Sequence, residues 1–417
     1  MYPDWPESDA DLVPLPQCDG PKLKPFKFSG PRKIEFVDYV GGGAHSQVFK
    51  VKIEGEIYAL KVFRWNEPAD FLPFGEWPIE VAKWNENHGE DLPAFSAYSE
   101  PFNSECRAYG RLQESGYEEL AIRVFGYVLI NEEEEEEMMH LVEVEDDPDI
   151  QRETWGNDAQ RKRFPGKRTG RKPPFRAIVK AFGKVDLENP LKPSVLKKLF
   201  RNLLQLHQLG IVDLDIVPGN LVNGRLGDFS TAMTTPNFIM TPELNPSLSP
   251  EQVALLRGET FRLCRNDFKL LNEEVKLWNK QQKAAKDKMS FPELEQKPRY
   301  NLRKLPFRDA RPYTFADPGL YDWKKSSMAS GTGNTSVASR KRKAPGENVT
   351  QKRLDPYPAR WYYECSDEDR RVDYQYRDGV IFPMPRKIHL QMPKPQVPTG
   401  GGLFGNPFPR LRERNGG

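Results

Sequence analysis

The chain of 417 residues balances 62 Lys and Arg against 60 Asp and Glu, a net charge of +2, and its mean hydropathy is −0.71. That near-neutral field argues against direct nucleic-acid binding, and the lack of an apolar run of spanning length or of an N-terminal signal core argues against a membrane. The four cysteines, Cys18, Cys106, Cys264 and Cys365, form no C-x-x-C pair, which argues against structural zinc and a disulfide framework and fits a reducing compartment.

Residues 1–30 are Pro-rich and acidic and read as an irregular extension. From Ile34 strand-like alternation sets in: IEFVDYV, QVFKVKI and IYALKVF form an antiparallel meander, joined by GGGAHS and by a Glu54-Gly55-Glu56 turn. In the first connection Gly41 and Gly43 precede Ser46 and Val48, and glycines there let backbone N–H groups approach a phosphate with no Cβ in the way. Ala59 and Lys61 lie on the third strand. Residues 65–98, broken by Pro68, Pro73, Pro78 and Pro93, read as an irregular insert. In PFNSECRAYGRLQESG the residues Phe102, Cys106, Tyr109 and Leu112 recur at helical spacing, with Glu105 on the same helix and its end near Gly116.

LAIRVFGYVLI and FRAIVKAFG predict a second strand pair, separated by an insert over 131–173. That insert holds the glutamate run Glu132 to Glu137 and the basic run Arg161 to Lys172, and blocks of like charge read as a solvated, disordered loop. PSVLKKLFRNLLQLHQLG predicts an apolar helix with Ser194 as N-cap and Gly210 at C′, and His207 on it reads as a core residue.

The stretch IVDLDIVPGNLVNGRLGDFS follows, with Asp215, Asn220 (215 + 5) and Asp228 (220 + 8). Asn223-Gly224 between short apolar pairs is a hairpin signal, because both turn residues need positive φ. The hairpin brings Asn220 and Asp228 to one mouth, where an amide oxygen and carboxylates suit Mg²⁺ and its phosphates. Helical sequence resumes in EQVALLRGETFRLCRNDFKLLNEEVKLWNKQ, and PYTFADPGLYDW closes the folded core. Residues 325–350 are a Ser/Gly-rich linker whose Arg340-Lys341-Arg342-Lys343 cluster reads as nuclear localisation; residues 351–417 form a tail whose aromatics dock back in part.

These pieces together resemble the protein kinases. Gly41 to Val48 is similar to G-x-G-x-x-G-x-V with Ser46 for the last Gly, and YALKVF to V-A-I-K. Asp213-Leu214-Asp215 with Asn220 stands where H-R-D-L-x-x-x-N does, Asp228-Phe229-Ser230 where D-F-G does, and Thr241-Pro242-Glu243 resembles A-P-E. The resemblance implies an α+β, two-lobed protein-kinase-like fold with disordered tails. A small antiparallel β lobe with one helix would span 31–182, and a larger, mainly helical lobe 183–324.

It also implies ATP and Mg²⁺ as cofactors. Glu105 would pair with Lys61 on the phosphates, Gly41, Gly43, Ser46, Val48 and Ala59 would enclose the nucleotide, Asn220 and Asp228 would hold metal, and Asp215 would be the base. The departures are Asp213 and Leu214 for His and Arg, Val217 for the loop lysine, and Ser230 for Gly. Pro218-Gly219-Asn220 also resembles small-molecule kinases of the aminoglycoside phosphotransferase type, which lack that lysine. The balance favours a divergent ATP-dependent phosphotransferase; the alternative is a catalytically weak or inactive pseudokinase that serves as a scaffold.

Longer phrases, among them CDGPKLKPFKFSG, HSQVFKVKIEGEIYALKVF, PFNSECRAYGRL, GDFSTAMTTPNF and ETFRLC, are similar to a fungal family, the Fta-two subunits of the kinetochore Sim-four complex. That resemblance covers about Cys18 to Asp267 and implies a nuclear, centromere-associated protein with kinetochore or chromatin partners.

Overall fold

The computed structural model describes Tyr2 and residues 4–65, 92–144, 161, 172–185, 191–289, 316–325, 372–377 and 380–385. Most of the insert read over 65–98, the interior of the basic run, the Arg340–Lys343 cluster and Cys365 lie outside the described residues.

An antiparallel sheet of five strands organises the α+β fold. Strands β1 (Ile34–Gly42), β2 (Ser46–Ile53) and β3 (Glu56–Phe63) form a meander, followed in space by β5 (Arg176–Ala181) and β4 (Val124–Leu129). Glu54 and Gly55 turn β2 into β3 with φ of +51° and +87°, the left-handed pair that a two-residue hairpin demands. Helix α1 (Leu92–Ser99) occupies the end of the insert expected to be irregular.

Helix α2 (Pro101–Ser115) lies on the sheet. Its N-cap Glu100 accepts the Asn103 N–H, Pro101 sits where a missing N–H costs nothing, and Gly116 ends it at φ +73°. Every residue from Pro101 to Leu112 is buried, so this helix has no solvent face over its first three turns. Phe102 meets Phe63 edge-on at 5.5 Å and Tyr127 at 5.9 Å. Burying each such aromatic contributes about 1.5–3 kcal/mol.

The N-terminal residues have little regular structure, yet they are packed rather than loose. Tyr2, Trp5, Leu15 and Leu23 join the main core, and the Phe26 N–H bonds the Tyr127 carbonyl at 2.8 Å, covering the β4 edge. This strap crosses α2 at Gly110, where a Cβ would come within 2.7 Å of the Lys22 backbone.

The glutamate run departs from the disordered loop expected of it. Helix α3 (Glu132–Val144) begins there, because Asn131 and Glu134 cap each other (Glu134 N–H to Asn131 at 2.8 Å, Asn131 N–H to Glu134 at 3.0 Å) and acidic side chains favour a helix N-terminus. Met138, Met139 and Val142 then anchor it in the core, while Arg32 and Arg161 pair with Glu134 and Glu135.

Helix α4 (Pro193–Gln208) starts two residues earlier than the Ser194 cap implied. Lys192 is the N-cap and Pro193 takes the first helical position; Gly210 follows the helix at φ +75°. Two-residue ladders β6 (Ile211–Val212) with β9 (Met233–Thr234), and β7 (Leu221–Val222) with β8 (Arg225–Leu226), shape the loop region that follows. Helix α5 (Pro250–Gln281) opens on a Ser249/Gln252 capping box. A hairpin of β10 (Val372–Arg377) and β11 (Val380–Pro385) packs on α5 and on Phe238 to Met240, and the Ile381 N–H bonds the Asn245 side chain at 2.9 Å. No helix among the described residues is long and apolar enough to cross a membrane.

Candidate functional site

The sheet presents its chemistry on one face. Val48 is paired with Lys61 and Lys50 with Ala59, and directly opposed residues share a face, so Val48, Ala59 and Lys61 point the same way. The β1–β2 turn closes one end of that face. Gly41 has φ +144°, a conformation that excludes side chains, and at Gly43 a Cβ would meet nothing within 4 Å. Among the described residues nothing therefore requires glycine at 43. Gly42 backs onto the Gln47 side chain, so its reason is packing. At the tip His45 Nδ1 lies 3.3 Å from the Ser230 hydroxyl, and Ser46 is buried.

Lys61, Glu105 and Asp228 come together from β3, α2 and the loop after β8. Lys61 Nζ is 2.7 Å from Glu105 Oε2 and 2.6 Å from Asp228 Oδ1. The other Glu105 oxygen is taken by Lys180 of β5, whose ammonium also donates to the Gly227 carbonyl at 2.8 Å. Glu105 is fully buried and both lysine side chains are 4% exposed. Two ammonium groups against two carboxylates make a neutral cluster, the condition under which burying such charges is tolerable.

The protonation states follow from this cluster. Burial opposes the Lys61 charge, but Asp228 and then Glu105 outweigh it and raise the ammonium pKa. For Lys180, burial, helped by the neighbouring Lys61, wins and lowers it. Asp228 is disfavoured by burial yet held well below the usual carboxylate range by Lys61 and then Lys180.

The β7–β8 hairpin turns at Asn223 and Gly224, φ +50° and +68°, and the Gly227 N–H bonds the Asn220 carbonyl at 2.8 Å. Asn220 and Gly227 thus stand abreast, with Asp228 next in the chain. The Asn220 amide nitrogen donates to Asp215 Oδ2 at 2.9 Å and to the Asp215 carbonyl at 3.0 Å. Asp228 bonds instead to Lys61 and to the Ser230 N–H, at 2.8 Å. Burial, and next the charge of Asp228, raise the Asp215 pKa.

Asp267, to which the sequence reading assigned no role, organises this loop. Fully buried on α5, it accepts the N–H of Asp213 at 3.0 Å and of Leu214 at 2.7 Å, and it lies 2.8 Å from His207 Nε2. It thereby holds Leu214 at φ +73°, a left-handed conformation costly for a branched residue. Asp213 itself is fully buried, with no hydrogen-bond partner for its carboxyl oxygens among the described residues, and burial followed by Asp267 pushes its carboxyl well above the usual range. Asp267 was legible as a carboxylate on the apolar stripe Leu263, Cys264, Phe268 and Leu271; Lys180 was legible as a cation interrupting the apolar run AIVKAF.

The segment after Asp228 is tied down. Arg107 donates to the Thr234 carbonyl at 3.0 Å and also to that of Pro236; Arg111 donates to Leu209 and Thr235 carbonyls at 2.8 and 2.6 Å. Thr234, Thr235, Asn237 and Thr241 are all buried.

Among the described residues no three His, Cys, Asp or Glu side chains could hold a metal ion by themselves. One ionised carboxylate, Asp228, and the amide oxygen of Asn220 suit a divalent cation that takes most of its ligands from phosphates. With Lys61 beside them and open space over Gly43, the residues present fit a magnesium nucleotide.

One protein family, described as kinetochore Sim4 complex subunit FTA2, matches the chain over residues 12–233, more than half its length. The match runs from the N-terminal strap to the start of β9 and takes in Gly41 to Val48, Ala59, Lys61, Glu105, Lys180, Asp215, Asn220 and Asp228, but neither the 234–241 segment nor Asp267 on α5. No curated protein matches the chain.

Proposed function

We propose that this chain, which belongs to the kinetochore Sim4 complex subunit FTA2 family, has a protein-kinase-like fold that binds Mg-ATP at Lys61, Asn220 and Asp228 and acts as a divergent phosphotransferase. Membership in the family makes the chain a kinetochore complex subunit, nuclear and kinetochore-associated, with kinetochore proteins as partners. The nucleotide and the chemistry are our reading. The observation that carries it is Lys61, held between Glu105 and Asp228 from three separate elements.

In this reading Lys61 binds the nucleotide phosphates and Glu105 orients it, while Val48 and Ala59 pack over the base and the 41–46 turn lies along the phosphates. Asn220 and Asp228 hold Mg²⁺. Mg-ATP, when bound, supplies the phosphoryl group. Asp215 orients the acceptor hydroxyl and takes its proton; its raised pKa brings it nearer the pH at which a base works best. Positioning and charge stabilisation are most of what phosphoryl transfer requires of a protein.

The competing reading, an inactive pseudokinase used as a scaffold, is favoured by one observation. The segment from Met233 to Thr241, beside which an extended peptide acceptor would lie, is buried and packed against the β10–β11 hairpin. An exposed ledge for a peptide is thus lacking among the described residues, which leaves a small acceptor or none.

Isothermal titration of ATP with Mg²⁺ into the wild type and Asp228→Asn separates the two. Micromolar binding that needs Mg²⁺ and weakens in the variant is expected. No binding to either protein would overturn the nucleotide reading and leave the scaffold. Asp215→Asn should abolish turnover and leave binding nearly intact.

A further inference from the structure

The second lysine on Glu105 has no counterpart in the motifs that identify this site. Lys180 reaches it from β5, where it is paired with Ala59 and so projects from the same sheet face as Lys61. Its ammonium is buried and makes three contacts: Glu105 Oε1, the Gly227 carbonyl at 2.8 Å, and the face of the Tyr109 ring at 5.3 Å. Tyr109 OH is the other donor to the Gly227 carbonyl, at a long 3.4 Å. Gly227 immediately precedes Asp228, whose carboxylate returns to Lys61. The contacts close a ring: Lys61 to Glu105, Glu105 to Lys180, Lys180 to the Gly227 backbone, and Asp228 back to Lys61.

We infer that Lys180 is a positioning residue: through the Gly227 carbonyl it fixes the Asp228 backbone to Glu105, so that the metal-binding carboxylate is set by the sheet and α2 rather than by its own loop. As applied to metal and nucleotide, this rests on the Mg-ATP reading above; the tie between Lys180 and the 227–228 backbone does not. One feature favours positioning over direct ligand contact: Lys180 spends its donors on a carboxylate and a main-chain carbonyl, and neither is a group that nucleotide would displace.

The test uses the full chain with Lys180→Met and Lys180→Gln, the second keeping a donor for the Gly227 carbonyl but no charge. Hydrogen exchange without nucleotide is measured on peptides covering 227–231 and 106–112. Lys180→Met should accelerate exchange of the first by about tenfold, roughly the effect of one lost hydrogen bond near 1.4 kcal/mol, and leave the second unchanged. Lys180→Gln should fall between the wild type and Lys180→Met. Equal acceleration of both peptides would reveal general loosening and overturn the inference, as would no change in 227–231. If Lys180→Met does not fold, Lys180→Gln alone decides by the same comparison.

Titrations of Mg-ATP and of ATP with EDTA give the second reading. Lys180→Met should weaken Mg-ATP binding roughly 10- to 100-fold, the usual effect of losing a group behind a metal ligand, and leave metal-free ATP within about threefold. An equal loss in both would make Lys180 a phosphate contact instead. Should the wild type bind no nucleotide, the Mg-ATP reading fails, and the exchange result still decides whether Lys180 holds 227–228.

Discussion

Asp267→Ala is the substitution whose consequence the structure fixes most tightly. The carboxylate is fully buried and accepts two backbone N–H groups, those of Asp213 and Leu214, beside His207 Nε2. Alanine leaves both amides unsatisfied in a site closed to water, at about 1–3 kcal/mol each, so about 2–6 kcal/mol before any cavity term. Release of Leu214 from its left-handed φ returns on the order of 1 kcal/mol. The net expected loss, about 1–5 kcal/mol, is a large share of the 5–15 kcal/mol that holds a typical domain together. Asp267→Asn keeps one acceptor oxygen but turns an NH₂ toward the second amide, and should lose about half as much. Urea unfolding at neutral pH, with the slope checked for constancy, reads both numbers. A loss under about 1 kcal/mol for Asp267→Ala would refute the claim that this carboxylate holds the 213–215 backbone. In Asp267→Asn, turnover should suffer more than nucleotide affinity, since the displaced residue is Asp215.

Three more expectations follow from the site. Glu105→Ala leaves buried Lys180 with no carboxylate and Lys61 with Asp228 alone, and should cost about 3–5 kcal/mol, whereas Lys61→Met leaves Lys180 on Glu105 and should cost clearly less; equal losses by denaturation would contradict a shared carboxylate. The two loop aspartates should respond oppositely to pH. Asp228 has a depressed folded pKa, so it contributes stability that is present above the unfolded value of about 3.9 and is lost as pH falls through the folded one. Asp215 has a raised folded pKa, so the folded state holds its proton longer and stability declines as pH rises from about 3.9 through that raised value. At neutral pH Asp215→Asn should therefore raise the unfolding temperature and Asp228→Asn lower it; melting curves from acid to neutral pH that show the same sign for both would refute the assignment. Finally, His45→Ala or Ser230→Ala removes the contact that holds the 43–45 turn against the loop, and stopped-flow mixing should show ATP associating a few-fold faster. An unchanged rate would mean the turn does not gate entry.

Local rules carried the sheet and most of the site. The meander, the Asn223-Gly224 turn and the spacing that puts Glu105 beside Phe102 and Tyr109 all depend on residues close in sequence, where pattern is informative. The misread segments depended on distant partners. Six glutamates look like a solvated run until Arg32, just before β1, and Arg161 supply the counter-charges and Met138 and Val142 supply the anchor. The N-terminal residues lack periodicity because they are bound by tertiary contacts at Tyr127 and Gly110 rather than by a ladder of their own. Asp267 and Lys180 broke the apolar pattern of their elements, the one sequence signal a buried polar organiser leaves.

The position of α2 explains which part of this site is free to vary. Glu100 binds Arg176 at 2.7 and 2.8 Å, Glu105 binds two lysines, and Arg107 and Arg111 bond the carbonyls of residues 234–236 on the opposite side. The strap lies against Gly110 across the third side. Moving the helix breaks these together, and a single buried pair broken on one side already costs about 3–5 kcal/mol, so displacement of α2 competes with unfolding of the whole domain. Lys61 and Glu105 are accordingly a fixed pair, unlike one made and unmade by a swinging helix. The glycine turn is tied to the loop by the 3.3 Å contact of His45 with Ser230 and to β3 by the Arg64 N–H to the His45 carbonyl at 3.0 Å, besides its strand pairing. A ligand that pairs with Lys61 must compete with Asp228 for it, and its affinity is reduced by the cost of that displacement.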